Sequence, residues 1–182
     1  MITTFAIYVE NKPGVLTRVS SLFRRRAFNI ESLTVGHTDI PGVSRMTVAV
    51  EADELGARRI EAHVYKLVNV LRVENITAAP AVFRDLAMIK VAATAESRTH
   101  VMQLVDVFRA RVVDVAPDSL IIEITGTEDK IDGLLEVVRP YGVLEMVRTG
   151  RVAMARGLRS TGAQTSAEPA VASDDESLFH SV

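Results

Sequence analysis

The chain has 182 residues, 48% of them hydrophobic and 24% charged, which is enough to bury one large core or two small ones. A formal net charge of -2 excludes a general electrostatic pull toward nucleic acid or anionic lipid, and the absence of cysteine excludes disulfides, thiolate metal sites and cysteine nucleophiles. No apolar run nears the roughly 20 residues of a membrane span, and Met1 to Phe5 enters a strand-like pattern without the features of a signal peptide, so the expected setting is the cytoplasm, away from membranes.

In chain order, Ile2 to Val9 alternates with Phe5, Ile7 and Val9 on one face, then stops at the turn formers Asn11-Lys12-Pro13-Gly14. Val15, Leu16, Val19, Leu22 and Phe23 follow at helical spacing, and the helix ends in Arg24-Arg25-Arg26, cations suited to a helix C-terminus. Phe28 to Val35 is rich in strand formers, Thr38 to Gly42 is a turn, and Met46, Val48 and Val50 mark a third strand. A second helix carries Ala57, Ile60, Val64 and Leu67 on one stripe, and Val70 to Ile76 closes the unit. The order is βαββαβ.

The same order repeats: a strand over Asp85 to Ala92, a helix with Val101, Leu104, Val105 and Phe108, and strands over Val112 to Val115 and Leu120 to Thr125. A helix with Ile131, Leu134, Leu135 and Val138 and a strand over Val143 to Val147 complete it. Phe23-Arg24-Arg25-Arg26 has a short echo in Phe108-Arg109-Ala110-Arg111. The expected fold is α+β, two ferredoxin-like βαββαβ domains, each an open sandwich of one sheet and two helices. We place them at residues 1–78 and 79–157, jointed at Ala78-Ala79-Pro80-Ala81. Residues 158–182, rich in Ser, Thr, Ala and Gly and lacking periodicity, form an expected disordered tail.

The turn at Asn11 to Gly14 is the feature that suits a ligand. A strand turning directly into a helix leaves the N–H groups around Val15 and Leu16 without intrahelical partners, and such donors suit a carboxylate. Gly14 permits close approach to the main chain, Pro13 stiffens the turn, and the Asn11 amide can accept from an ammonium or donate to a carboxylate. By spacing alone the four residues also describe an ordinary turn at a helix start. Asn29, between Phe28 and Ile30, needs a partner if buried, either neighbouring backbone or a ligand at a subunit interface.

The run Glu10-Asn11-Lys12-Pro13-Gly14-Val15-Leu16 resembles the amino-acid-binding turn of ACT domains. Phe28-Asn29-Ile30-Glu31-Ser32-Leu33-Thr34-Val35, Ser44-Arg45-Met46-Thr47 and Lys66-Leu67-Val68-Asn69-Val70-Leu71 narrow the likeness to the small regulatory subunit family of acetolactate synthase, also called acetohydroxyacid synthase. The resemblance runs to about Gly157, through Arg148-Thr149-Gly150 and Ala155-Arg156-Gly157, and does not extend to the tail. It implies a homodimer that binds valine or another branched-chain amino acid at the interface of paired ACT domains. It also implies a partnership in which the catalytic subunit is activated and made subject to feedback inhibition, in valine, leucine and isoleucine biosynthesis. Carried over by position, Asn11, Gly14, Val15 and Leu16 hold the main-chain groups of the ligand, and Asn29 and Ile30 come from the other copy. This chain is then no enzyme by itself; thiamine diphosphate, FAD and magnesium belong to the catalytic subunit. The second repeat has Thr94-Ala95-Glu96-Ser97 at the comparable turn and receives no ligand site.

Three other readings are weighed against this one. Catalysis by the chain would need a nucleophile, a metal cluster or a matched acid and base, but His37, His63, His100 and His180 lack metal-ligand spacing, and no phosphate-cradling or dinucleotide motif is present. RNA recognition shares the βαββαβ topology, but it stacks bases on sheet aromatics, whereas Thr47, Val48 and Ala49 occupy the relevant strand and aromatics are 5% of the chain. A free-standing ACT sensor of another pathway is separated by whether the chain binds and activates an acetolactate synthase catalytic subunit.

Overall fold

The computed structural model describes residues 1–77 and 79–157. Ala78, in the expected joint, and residues 158–182, the expected tail, lie outside the described residues. The first unit runs β1 (Ile2–Glu10), α1 (Val15–Arg25), β2 (Ile30–His37), β3 (Val43–Glu51), α2 (Glu54–Val64) and β4 (Val70–Asn75). The second runs β5 (Ala81–Ala92), α3 (Arg98–Val107), β6 (Arg111–Val115), β7 (Ser119–Gly126), α4 (Glu128–Val138), a 3-10 turn at Arg139–Tyr141, β8 (Val143–Arg148) and β9 (Val152–Ala155). Both sheets are antiparallel, ordered β2-β3-β1-β4 and β6-β7-β5-β8, so the repeat extends from element order to strand pairing. The α+β, twice-βαββαβ architecture is therefore the one expected.

Alternation decides which face of each sheet is covered. On β1, Phe5, Ile7 and Val9 point to the helices and are essentially inaccessible, and β3 presents Val48 opposite Phe5 and Met46 opposite Ile7 on that same face. From α1, Val15, Val19, Leu22 and Phe23 close over them, joined by Ala57, Ile60 and Val64 of α2. The second core repeats the pattern with Ala87, Ile89 and Val91 of β5, Leu120, Ile122 and Ile124 of β7, and Ile131, Leu134 and Val138 of α4. Asp53 caps α2 by accepting from the Gly56 N–H at 2.6 Å, whereas α1 has no side-chain cap.

Both first helices of the repeats exit through a left-handed residue, Ala27 with φ 57 and Arg109 with φ 51. The bonds that close these exits, Phe28 N–H to Phe23 O and Ala110 N–H to Val105 O, make Phe23 the counterpart of Val105 rather than of Phe108. The Phe-Arg echo is thus out of register with the structure and is coincidental.

The second unit departs from expectation at its ends. β5 begins at Ala81, within the expected joint, and after β8 the chain returns through Thr149-Gly150-Arg151 into β9. β9 pairs with the first part of β5, Ala81 opposite Ala155 through Arg84 opposite Val152. This two-stranded ribbon lies on the face of the first sheet turned away from its helices, where Ala6, Ile76 and Ala153 are buried together and Tyr8, Ala81 and Phe83 pack against them. The first unit is therefore not an open sandwich throughout: part of its second face is covered by the other unit. Tyr8, an aromatic on that face, is stacked between the Arg45 and Arg72 guanidinium groups, 5.6 and 4.4 Å from its ring centre.

Candidate functional site

The turn between β1 and α1 is held from outside and left open inside. The Asn11 N–H donates to Gly42 O at 2.8 Å, fastening the turn to the β2–β3 hairpin, and the Arg18 N–H donates to Gly14 O at 3.0 Å as the first helical bond. Gly14 sits at φ 81, a left-handed conformation that glycine adopts without a Cβ penalty, and a Cβ added there would meet no atom within 4 Å. The space over Gly14 is empty of protein.

The open donors lie one residue later than the sequence suggests. The Val15 N–H reaches Lys12 O at 3.4 Å, and the Val15 side chain is buried in the core, so Val15 is a weaker candidate than expected. Among the described residues the N–H groups of Leu16 and Thr17 have no acceptor, and the Asn11 amide has no hydrogen-bond partner. Two parallel donors at a positive helix end, beside a free amide and an empty space, can accept a carboxylate and orient a polar group next to it. Thr17 carried no signal in the sequence, because its contribution is a main-chain N–H.

Beneath the turn lies a network that motif reading did not assign. Asn69, nearly buried just before β4, donates from Nδ2 to Glu10 Oε2 at 2.6 Å and accepts from the Arg18 guanidinium. Its carbonyl also accepts from the Glu10 N–H at 2.9 Å, and Lys12 pairs with the Glu10 carboxylate at 3.1 Å. The Asn69 hydrogen bond, with help from Lys12, holds the Glu10 carboxyl below the ordinary carboxylate range. Asn69 thus ties the last residue of β1 to the first turn of α1, fixing the two ends of the Asn11–Gly14 segment.

Asn29 is exposed rather than buried, precedes β2, and donates from Nδ2 to Glu31 Oε1. Ile30 is half-buried against the first core. Within one chain neither belongs with the turn. Ile30 lies opposite Val50 of β3 and Glu10 lies opposite Val43, so the two groups stand at opposite ends of the sheet. Seven residues of strand separate them, roughly 23 Å.

The corresponding turn of the second unit is closed by its own side chains. The Thr94 N–H donates to Ser97 Oγ at 3.0 Å and the Ser97 N–H donates back to Thr94 Oγ1 at 3.3 Å. The Arg98 guanidinium folds over the same end, donating to the carbonyls of Ala116 and Pro117 at 2.7 Å each. Among the described residues the Thr99 and His100 N–H groups at this helix start also lack an acceptor, as Leu16 and Thr17 do, but neither a glycine nor a free asparagine amide stands beside them. Among the described residues, no group of three His, Cys, Asp or Glu side chains is placed to hold a metal ion, and no helix is long and apolar enough to cross a membrane.

A cleft of about 430 Å³ lies between the two units, bordered by Glu31, Ser32, Asp85, Glu128, Arg148 and Arg151. Its charges are largely matched: Arg151 pairs with Glu128 at 2.9 Å and Arg148 with Asp132 at 2.7 Å. Burial pushes the Asp85 carboxyl above its ordinary range, against the weaker pull of Arg151 and Arg148. A raised folded-state pKa means that the native chain holds the proton more tightly, so stability falls as pH rises from the ordinary carboxylate range through the raised value. Asp85→Asn, neutral at every pH, is expected to melt above the wild type at pH 7, and the gap should close as the pH drops below about 4. Melting curves across that range check this; a gap independent of pH would rule out the desolvated carboxylate as its cause.

The comparisons agree with this architecture. Residues 5–72 match the model of the AHAS small subunit-like ACT domain, and residues 84–157 match that of the small subunit of acetolactate synthase. A probable acetolactate synthase small subunit of Archaeoglobus fulgidus is 50% identical over 154 residues, covering 85% of this chain and 96% of that protein. The acetolactate synthase small subunit of Mycolicibacterium smegmatis is 46% identical over 160 residues, with 88% and 94% covered. The crystal structure of the acetolactate synthase small subunit from Thermotoga maritima superposes with a TM-score of 0.82 at 40% identity, covering 87% of this chain and 99% of that one. A sheet-and-helix repeat whose first turn alone sets a glycine and a free asparagine amide beside its helix start is thus found in a chain that belongs to the acetolactate synthase small subunit family.

Proposed function

We propose that the chain is a regulatory subunit that activates the thiamine-diphosphate-dependent catalytic subunit of acetolactate synthase in the cytoplasm. On this reading it also confers feedback inhibition by valine or another branched-chain amino acid, in valine, leucine and isoleucine biosynthesis. The observation that carries the effector reading is the pair of unpartnered N–H donors at Leu16 and Thr17, beside the free Asn11 amide and the empty space over Gly14. Those groups fit the carboxylate and ammonium of a free amino acid. The exposed apolar part of Leu16 offers contact to a branched side chain. Thiamine diphosphate, FAD and magnesium are assigned to the catalytic subunit. The decisive experiment is a valine titration of catalytic-subunit activity with and without this chain, repeated with leucine and isoleucine. Absence of activation by the chain would sink the regulatory reading.

The 23 Å separation along the sheet argues for a homodimer. β2 is an edge strand with neither lysine nor proline, the residues that commonly guard a free edge. Antiparallel pairing of two such edges about a twofold axis sets the head of one β2, with Asn29 and Ile30, beside the tail of the other, where the Asn11–Gly14 turn is fastened. Val35 lies on the helix side of that edge, opposite Met46, and is 44% exposed. Val35→Lys is expected to shift the chain to monomer by light scattering and to weaken valine binding at least tenfold, about 1.4 kcal/mol. A variant that stays dimeric with full affinity would count against pairing through β2.

A further inference from the structure

We infer that Gly150 and Arg151 form the joint through which the effector site acts on the second unit. This rests on the reading of Asn29 and Ile30 as effector-contacting residues. They stand at the head of β2, and Ser32, Leu33 and Thr34, which begin one residue further along the strand, are the ones the joint grips. Gly150 passes so close to β2 that a Cβ there would stand 2.5 Å from Thr34 Oγ1 and 2.7 Å from Leu33 O. The second of these is backbone and cannot swing aside. Thr34 Oγ1 is buried without a hydrogen-bond partner, so the contact excludes water as well as side chains. The Arg151 N–H then donates to Ser32 Oγ at 2.7 Å.

The same short segment is bound just as firmly to the second unit. The Thr149 N–H donates to Leu86 O at 2.9 Å, and the Leu86 N–H returns a bond to Thr149 Oγ1 at 3.1 Å, fixing the segment to β5. Arg151 reaches Glu128 at 2.9 Å and Arg148 reaches Asp132 at 2.7 Å, both in the first turns of α4. A second grip lies one strand further on, where the Arg45 guanidinium of β3 donates to Ala153 O at 2.5 Å. Contacts as close as those at Gly150 do not absorb a displacement by compression, because packed interiors transmit strain. A shift of the β2 head on ligand binding therefore moves the Gly150–Arg151 segment, and with it β5 and the start of α4.

Coupling of this kind predicts that binding and response separate. Gly150→Ala wedges the joint apart at the Leu33 backbone, and Arg151→Ala removes the Glu128 ion pair without adding bulk. For each full-length variant, valine binding is measured by calorimetry with and without the catalytic subunit, and inhibition by valine titration of the complex. In the wild type the catalytic subunit should change valine affinity by a factor within the roughly 5- to 150-fold range of allosteric coupling. In both variants that factor should fall toward one, with affinity for valine by the free chain kept within about twofold and activation retained. Undiminished inhibition in the two variants would overturn the joint as the route. Parallel loss of valine binding in the free chain would overturn it too, by placing these residues in the site itself. If the wild-type chain binds no branched-chain amino acid, the effector reading fails separately, and hydrogen exchange still judges the joint. Gly150→Ala must then accelerate exchange in β2 and in residues 149–155 together, and acceleration confined to 149–155 would refute it.

Discussion

Gly14→Asp is expected to abolish inhibition by valine while leaving activation of the catalytic subunit intact. The glycine has two reasons to be there. At φ 81 any side chain pays for a left-handed backbone, about 1–2 kcal/mol in general and less for aspartate, which visits that region more readily. The second reason is space: apart from its own chain neighbours, no protein atom lies within 4 Å of an added Cβ, so the substitution creates no clash with the fold. The new carboxylate instead enters the opening in front of the Leu16 and Thr17 donors, where it competes for the same N–H groups and repels an incoming carboxylate. Loss of affinity should exceed a hundredfold, about 2.7 kcal/mol, with a melting temperature close to the wild type. Gly14→Ala separates the two causes, since it carries the backbone strain without the charge, and it should retain measurable inhibition. The pair is checked by valine titrations of the reconstituted complex. Full inhibition of the Gly14→Asp complex would remove the turn from the site.

Much of the fold was legible because amphipathic alternation and helical spacing are local signals. Phe5, Ile7 and Val9, or Val15, Val19, Leu22 and Phe23, mark their buried faces without help from the rest of the chain. β9 was not legible. Four residues, Val-Ala-Met-Ala, give no period to read, and the strand forms only because the first part of β5 offers it an edge. The start of β5 was hidden for the same reason, its first four residues standing apart from the repeat and serving the other unit. At the site, Asn11 and Gly14 could be picked out because turn chemistry is written in residue type. Thr17 could not be, since what it offers is backbone, and Asn69 could not be, since its partners Glu10 and Arg18 are 59 and 51 residues away. The burial of Val15 and the exposure of Asn29 likewise depend on the packing of whole elements. For Asn29 the residues leave backbone or an interface ligand open as partners and the resemblance favours the ligand; the strand register adds that one chain cannot bring it to the turn.

That register makes a strong prediction about mixed dimers. If each site takes its turn from one chain and Asn29 from the other, Gly14→Asp chains and Asn29→Ala chains should each fail as homodimers, because every site contains one defect. A heterodimer of the two differs: one site collects both defects, while the other joins an unaltered Gly14 turn to an unaltered Asn29. Refolding the variants together at equal ratio makes half of the dimers mixed, so about a quarter of all sites should recover wild-type affinity from two inactive parents. Asn29→Ala is a mild change for the fold, since the residue is exposed and its amide bonds the neighbouring Glu31. Calorimetric titration of the mixture, with the unmixed variants as controls, reads the fraction directly. Both groups in a single chain's site would leave the mixture as inactive as its parents, a result that the roughly 23 Å between Ile30 and Glu10 along β3 argues against.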